Sequence, residues 1–266
     1  MNNFKIGIIG CGNMGGAIVR GMVNKGIVEG KNIYLEDKDI NKSASLAKET
    51  GALDEDLCFL MSKSDIVIIA VKPQDFDHLS EGIVSEVAGQ TFISVMAGIN
   101  IDTIVKKLGR EVPVARAMPN MGAFVAEGVT CLSYNSLVNK KEEVRSVFSG
   151  IGEVFEVEEG AMNAVTAVSG SGPAYLFYLA DAMISAAEKS GLDKDTAAKL
   201  VEQTLLGSTM LLKKSGESPG ELISKVASRG GTTEAALSVF DAENLKSIIE
   251  NAIQKAKERS EELSKG

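Results

Sequence analysis

Six residues near the start of the chain, Gly10-Cys11-Gly12-Asn13-Met14-Gly15, have the types and spacing of a backbone turn that grips an anion. They follow an apolar run, residues 4–9, and open a helical pattern over residues 13–24. In that setting Gly10 allows a tight turn, Gly12 lets backbone approach a pyrophosphate, and Gly15 lets the helix pack close to the strand. The helix N-terminus adds N–H groups without intrahelical partners and a partial positive charge. Outside that setting the same spacing is only a glycine-rich turn. The next apolar run, residues 32–36, ends in Glu36-Asp37. An acid about twenty residues past the glycines takes the ribose hydroxyls of NAD and repels the 2′-phosphate of NADP. Lys38 and Lys42 follow closely enough to serve a phosphate instead, and a merely polar strand end is the third reading. The cofactor is therefore read as NADPH or NADH, with a weak lean to NADH from Glu36 and Asp37. Ala70-Val71-Lys72-Pro73 and Met96-Ala97-Gly98 each close a further apolar run. Ligands of open α/β sheets bind at such ends, although each segment on its own is equally a structural turn.

The second half of the chain carries hydroxyls and glycines instead of acids and bases. Thr232 and Thr233 open a helix just after the segment 218–227. They read as helix N-caps or as part of a carboxylate site at the helix N-terminus, and the two readings are compatible. Ser169, Gly170, Ser171 and Gly172 precede Pro173, where glycines admit a ligand, a second backbone or ordinary helix packing. The one histidine, His78, falls on a polar helical stretch and reads as a surface residue, so nothing marks a Ser-His-Asp set. Cys11, Cys58 and Cys131 lack the spacing of a zinc site or a disulfide framework, so no metal is expected and a reducing cytoplasm is the expected compartment.

These groups need a scaffold. A length of 266 residues favours two domains over one core. Apolar runs at 4–9, 32–36, 65–71, 91–98 and 112–118, with weaker ones at 128–134 and 152–157, alternate with helical patterns. That alternation predicts an α/β fold: an N-terminal Rossmann-type, doubly wound, mostly parallel sheet over residues 1–161. Strand signal fades near Met162, and residues 162–266 read as an all-helical domain. Pro173 suits the first turn of a long helix, Ser218-Pro219-Gly220-Glu221 is a capping-box start, and 242–262 reads as a terminal amphipathic helix. The uncharged run from Gly160 to Ala180 holds glycines, a proline and hydroxyls, which suits a buried interface helix better than a membrane span. The N-terminus starts a strand almost at once and shows no signal-peptide pattern. A net charge of −8 disfavours nucleic acid and anionic membranes as partners. Such apolar helical stretches predict a dimer through the helical domain.

Five segments in order, GCGNMGGAI (10–18), AVKP (70–73), ARAMPN (115–120), TAVSGSGPAY (166–175) and SRGGTTEAAL (228–237), resemble pyrroline-5-carboxylate reductases and span nearly the whole chain. The resemblance implies a Rossmann domain followed by a helical domain that dimerises, with dimers that can assemble into a larger homo-oligomer. It implies that Ser228, Gly230, Gly231, Thr232 and Thr233 bind the substrate. In that pattern Thr233 bonds the ring nitrogen as the catalytic hydroxyl, and the loop holds the substrate carboxylate through backbone N–H groups. The chain departs from the family at Arg229, where a proline is usual, and at Ile223-Ser224, where Lys-Asp is common. It also lacks a clear asparagine around Leu53–Leu57, which again favours NADH.

The implied reaction is hydride transfer from NAD(P)H to the cyclic imine 1-pyrroline-5-carboxylate, giving L-proline, the last step of proline biosynthesis. An iminium already carries positive charge and needs less acid assistance than a carbonyl, which agrees with the scarcity of acid-base groups. Two alternatives are weighed. A β-hydroxyacid dehydrogenase would need a lysine soon after the glycine-rich segment, but the first lysine beyond Gly172 is Lys189. A non-catalytic dinucleotide-binding protein would have no use for the Thr233 hydroxyl.

Overall fold

The computed structural model describes residues 4–264. Short apolar runs become strands and the amphipathic stretches between them become helices. In chain order these are β1 (Ile6–Ile9), α1 (Asn13–Asn24), β2 (Ile33–Glu36), α2 (Ile40–Thr50), β3 (Leu53–Asp54), α3 (Leu57–Lys63), β4 (Ile66–Ile69) and α4 (Phe76–Ile83). There follow β5 (Thr91–Ser94), α5 (Ile101–Lys107), β6 (Val114–Pro119), β7 (Gly128–Tyr134), α6 (Lys141–Ser149) and β8 (Gly152–Glu156). The remainder is helical: α7 (Met162–Val165), a π-helical turn (Thr166–Gly170), α8 (Gly172–Lys189), α9 (Lys194–Ser215), α10 (Pro219–Val226), α11 (Thr232–Ala242) and α12 (Leu245–Leu263).

The strands form one eight-stranded sheet in the order β3-β2-β1-β4-β5-β6-β7-β8. All neighbours run parallel except β6 and β7, which the tight turn Met121–Val125 joins as an antiparallel pair. Every residue of β1, β4 and β5 is buried. Their side chains divide with period two between two cores. Ile6, Ile8, Ile66 and Ile68 pack with Ile18 and Phe148 on one face, while Ile9, Val67, Ile69 and Phe92 pack with Phe76 on the other. Each such side chain contributes about 1.5–3 kcal/mol by leaving water, and continuous apolar runs are what a sheet covered on both faces requires. The expected Rossmann-type, mostly parallel sheet followed by helices is the architecture found.

Three local readings change. The run 91–98 does not stay extended. β5 stops at Ser94, whose Oγ accepts the Met96 N–H at 3.2 Å, and Gly98 turns the chain with φ 78°. The edge strand β3 had no apolar signal because both its residues are exposed. The terminal helix starts at Leu245, because Asn244 in the left-handed region (φ 53°) breaks it from α11. The capping box is present as read: Ser218 Oγ accepts the Glu221 N–H, and Glu221 Oε2 accepts the Ser218 N–H at 2.7 Å.

By packing, the chain divides into two compact units. The first runs to Ser171 and includes the chain from Ala256 onward, and the second is Gly172–Lys255. The helical pattern begins earlier, at Met162, yet Met162 and Ala167 are fully buried in the first unit and Asn163 Oδ1 accepts the Ser260 hydroxyl at 2.8 Å.

Candidate active site

Strand order reverses at β1, with β2 on one side and β4 on the other, and the carboxyl ends at such a reversal are where ligands of open α/β sheets bind. The glycine turn lies there. Gly10 has φ 101°, a value that side-chain-bearing residues rarely adopt, and its N–H donates to the Glu36 carbonyl at 2.8 Å. A Cβ on Gly15 would overlap the Gly10 carbonyl oxygen, so only glycine lets α1 come this close to β1. A Cβ on Gly12 would meet nothing within 4 Å, so open space lies over the loop at that residue. Gly12 is also the N-cap of α1 and supplies no side-chain cap to the helix. Open space over a glycine, beside the uncapped first turn of a helix, fits a pyrophosphate.

Asp37 braces this turn. Its Oδ2 accepts the Cys11 N–H at 2.7 Å and its Oδ1 accepts the Asp39 N–H at 2.8 Å. Glu36 is half-buried at the end of β2. Burial raises its pKa, and the nearby charges of Asp37 and Asp54 raise it further. Burial and the same carboxylates push the Cys11 thiol up to about 12, so it stays protonated at neutral pH and is no nucleophile. Lys38 pairs with Asp75 at 2.9 Å and Lys42 approaches Asp39 at 3.8 Å, so both cations already have carboxylate partners.

The other expected cofactor segments sit beside the turn. The Ala70 N–H donates to the Ile9 carbonyl at 2.8 Å, and a Cβ on Gly10 would strike the Ala70 backbone. Val71 is half-buried, Lys72 is exposed, and Pro73 starts a short 3-10 turn. Met96, Ala97 and Gly98 follow β5, the next strand along, where the Val95 N–H reaches the Ile69 carbonyl at 3.1 Å. Residues 10–15, 36–37, 70–73 and 96–98 thus form one row of loops along the carboxyl edge of β2, β1, β4 and β5.

The substrate loop predicted from the sequence lies in the second unit. It is a turn closed by Gly231 N–H to the Ser228 carbonyl at 3.0 Å, with Gly230 at φ 72°. Arg229 occupies the position where a proline would fix φ beforehand. A Cβ on Gly231 would strike Ser228 Oγ. The N-cap of α11 is Gly231, not either threonine, and it provides no side-chain cap. Thr232 and Thr233 stand in the first helical turn, Thr233 half-buried, while Glu234 Oε2 accepts the Gly230 N–H at 2.6 Å.

Two polar groups that the sequence reading did not single out brace the first unit. Asn120 Oδ1 accepts the Gly122 and Val129 N–H groups, and its Nδ2 donates to the Ser169 carbonyl at 3.2 Å, tying β6 and β7 to the π turn. Arg116 is buried in β6 with its guanidinium 3.6 Å from Glu159. Burial pulls its pKa down and Glu159 opposes that. The segment ARAMPN contains both residues, but no sequence pattern names their partners. A cleft of about 470 Å³ between α1 and the 123–126 turn shares only Asn13 with the glycine turn and lies apart from the row of loops above. His78 is exposed on α4. Among the described residues no group of three or more His, Cys, Asp or Glu could hold a metal, and no helix is long and apolar enough to cross a membrane.

A doubly wound sheet with a glycine turn at its reversal point and a carboxylate at the end of β2 defines a pyridine-nucleotide oxidoreductase. The family model described as NADP oxidoreductase coenzyme F420-dependent matches residues 5–98, and that described as pyrroline-5-carboxylate reductase dimerisation matches residues 159–263. Pyrroline-5-carboxylate reductase 2 of Bacillus subtilis is 35% identical over 97% of this chain and 95% of its own length. A pyrroline-5-carboxylate reductase of Coxiella burnetii superposes with a TM-score of 0.93 at 33% identity, covering 100% of both chains. The Plasmodium falciparum pyrroline carboxylate reductase with NADP bound gives 0.87 at 30% identity over 99% of each. The chain belongs to the pyrroline-5-carboxylate reductase family.

Proposed function

We propose that the chain reduces 1-pyrroline-5-carboxylate to L-proline with NADPH or NADH. The observation that carries the reading is the glycine turn at the β1/β4 reversal in a chain that matches these reductases from end to end. In this reading residues 1–161 hold the dinucleotide and 162–266 hold the substrate loop and the dimer surface. The bound dinucleotide supplies a hydride from the nicotinamide ring. The chain's own residues bind and orient. Gly10 to Gly15 present backbone to the pyrophosphate. Glu36 takes ribose hydroxyls, while Asp37 holds the turn in shape. Residues 70–73 and 96–98 line the path to the nicotinamide. The α11 N-terminus, with Ser228, Gly230, Gly231 and Thr232, receives the substrate carboxylate. The Thr233 hydroxyl orients the ring nitrogen, and no stronger acid is needed because the iminium already carries the charge.

Apolar side chains on α8 and α9, such as Phe177, Tyr178, Leu206 and Leu211, remain exposed on the single chain. That supports a homodimer through the helical domain, in a cytoplasmic enzyme whose dimers can build larger homo-oligomers.

The test is absorbance of the reduced dinucleotide, with NADH and NADPH in parallel and pyrroline-5-carboxylate as substrate. Turnover is expected with at least one dinucleotide. Binding without turnover would return the chain to a non-catalytic reading, and turnover only of hydroxyacids or their keto products would make it a dehydrogenase.

Three carboxylates, Glu36, Asp37 and Asp54, share the ribose end, and both nearby lysines have acidic partners. This supports the lean to NADH. Glu36→Ala is expected to lower the ratio of catalytic efficiencies, NADH over NADPH, by about tenfold, the worth of a hydrogen bond to a charged acceptor. A ratio that stays put removes the basis for the lean.

A further inference from the structure

The loop Val95–Asn100 connects β5 to α5. Its entry is pinned by Val95 N–H on the Ile69 carbonyl and Met96 N–H on Ser94 Oγ. Its exit is pinned by Asn100, whose Oδ1 accepts the Thr103 N–H at 2.8 Å, and by Glu159, whose Oε1 accepts the Ile101 N–H at 2.7 Å. Ala97, Gly98 and Ile99 span the gap between these two supports, with Leu263 of α12 lying against Gly98.

Glu159 comes from a 3-10 turn nearly sixty residues further along the chain. The same oxygen lies 3.6 Å from Arg116, whose side chain is only 5% exposed. A buried guanidinium needs a counter-charge, and among the described residues Glu159 is the carboxylate paired with Arg116. Glu159 is thus drawn from two sides, by the cation behind it in β6 and by the amide that begins α5. It cannot turn toward solvent without stranding Arg116. A carboxylate fixed this way fixes the exit of the loop.

We propose that Glu159, backed by Arg116, is a positioning residue for hydride transfer: it sets the height of the 96–98 wall against which the nicotinamide ring rests. This rests on the reading above that Met96, Ala97 and Gly98 line the cofactor path. A small displacement of that wall misplaces the ring and leaves the adenosine and pyrophosphate, held at the glycine turn, where they were.

The test compares two ligands of the full-length chain. NADH carries the nicotinamide ring and ADP-ribose lacks it. Glu159→Ala is expected to weaken NADH about tenfold and to leave ADP-ribose within about twofold, because only the ring touches the wall. Glu159→Gln, whose amide oxygen still accepts the Ile101 N–H, is expected to lose less. Because an unpaired Arg116 can unfold the chain, Arg116→Met/Glu159→Ala is made alongside. It has neither buried charge nor acceptor and is expected to show the same selective loss of NADH. If both ligands weaken in step, or neither weakens, Glu159 is only a structural support and the proposal is overturned. Wild-type protein that binds NADH without reducing the imine would sink the reductase reading and leave this comparison standing.

Discussion

Gly15→Ala is expected to lose dinucleotide binding and stability together, whereas Gly12→Ala is expected to lose binding alone. The two glycines stand three residues apart and face different surroundings. A methyl on Gly15 meets the Gly10 carbonyl oxygen and, at 3.4 Å, the Ala70 side chain. Backbone cannot swing aside as a flexible side chain can, so α1 must retreat from β1. Overpacking of this kind costs about 1–3 kcal/mol and sometimes more. The retreat also moves the turn whose N–H groups would meet the pyrophosphate. At Gly12 the backbone has φ −70°, open to any residue, and a methyl would touch no protein atom. It would stand in the open space proposed for the pyrophosphate. Thermal unfolding and fluorescence titration with NADH separate the two. The expected pattern is a lowered Tm with lost binding for Gly15→Ala, and an unchanged Tm with lost binding for Gly12→Ala. A Gly12→Ala protein that binds normally would mean the pyrophosphate lies elsewhere.

Thr233→Ala is expected to have the opposite signature, with binding kept and turnover lowered. The N-cap of α11 is Gly231, so the threonine hydroxyls carry no capping duty and their loss should leave the helix in place. Thr233 is half-buried in the first turn, beside the closed Ser228–Gly231 turn. If its hydroxyl orients the ring nitrogen, alanine should lower kcat by about 10²-fold, the lower range for a positioned proton-handling group. Affinity for NADH should not change, and Thr233→Ser should recover most of the rate. Steady-state kinetics on the imine, with a parallel NADH titration, decides it. Unchanged turnover would reduce Thr233 to an ordinary first-turn residue.

Much of the first unit was legible because its strands are buried on both faces. Runs such as 66–71 are apolar without interruption, and Gly10 and Gly98 mark the exits of β1 and β5 while Lys72-Pro73 ends the run after β4. The glycine turn and the acid at the end of β2 could be read because their meaning depends on local order in sequence. Groups whose partners lie far along the chain could not. By its place after β2 Asp37 reads as a ribose ligand, and in the fold both its oxygens accept backbone N–H groups. Glu159 looks like one more surface acid until it is seen against Ile101 and Arg116. In the sequence Asn120 is one letter of a motif, and its bonds to Val129 and Ser169 have no sequence signature. Thr232 and Thr233 were open to reading as caps because composition alone cannot say which residue has non-helical backbone. The π turn at Thr166–Gly170 left no trace either, since its residues suit an ordinary helix.

Leu263, in the last turn of α12, rests against Gly98, where a Cβ would come within 3.2 Å of the leucine Cβ. One surface of an early-made loop is therefore covered by residues made very late. On the ribosome the sheet strands can pair as they emerge, but this loop stays uncovered until translation has passed Leu263. The cover over Gly98 is therefore the late part, and a chain cut short before α12 leaves that one loop surface bare.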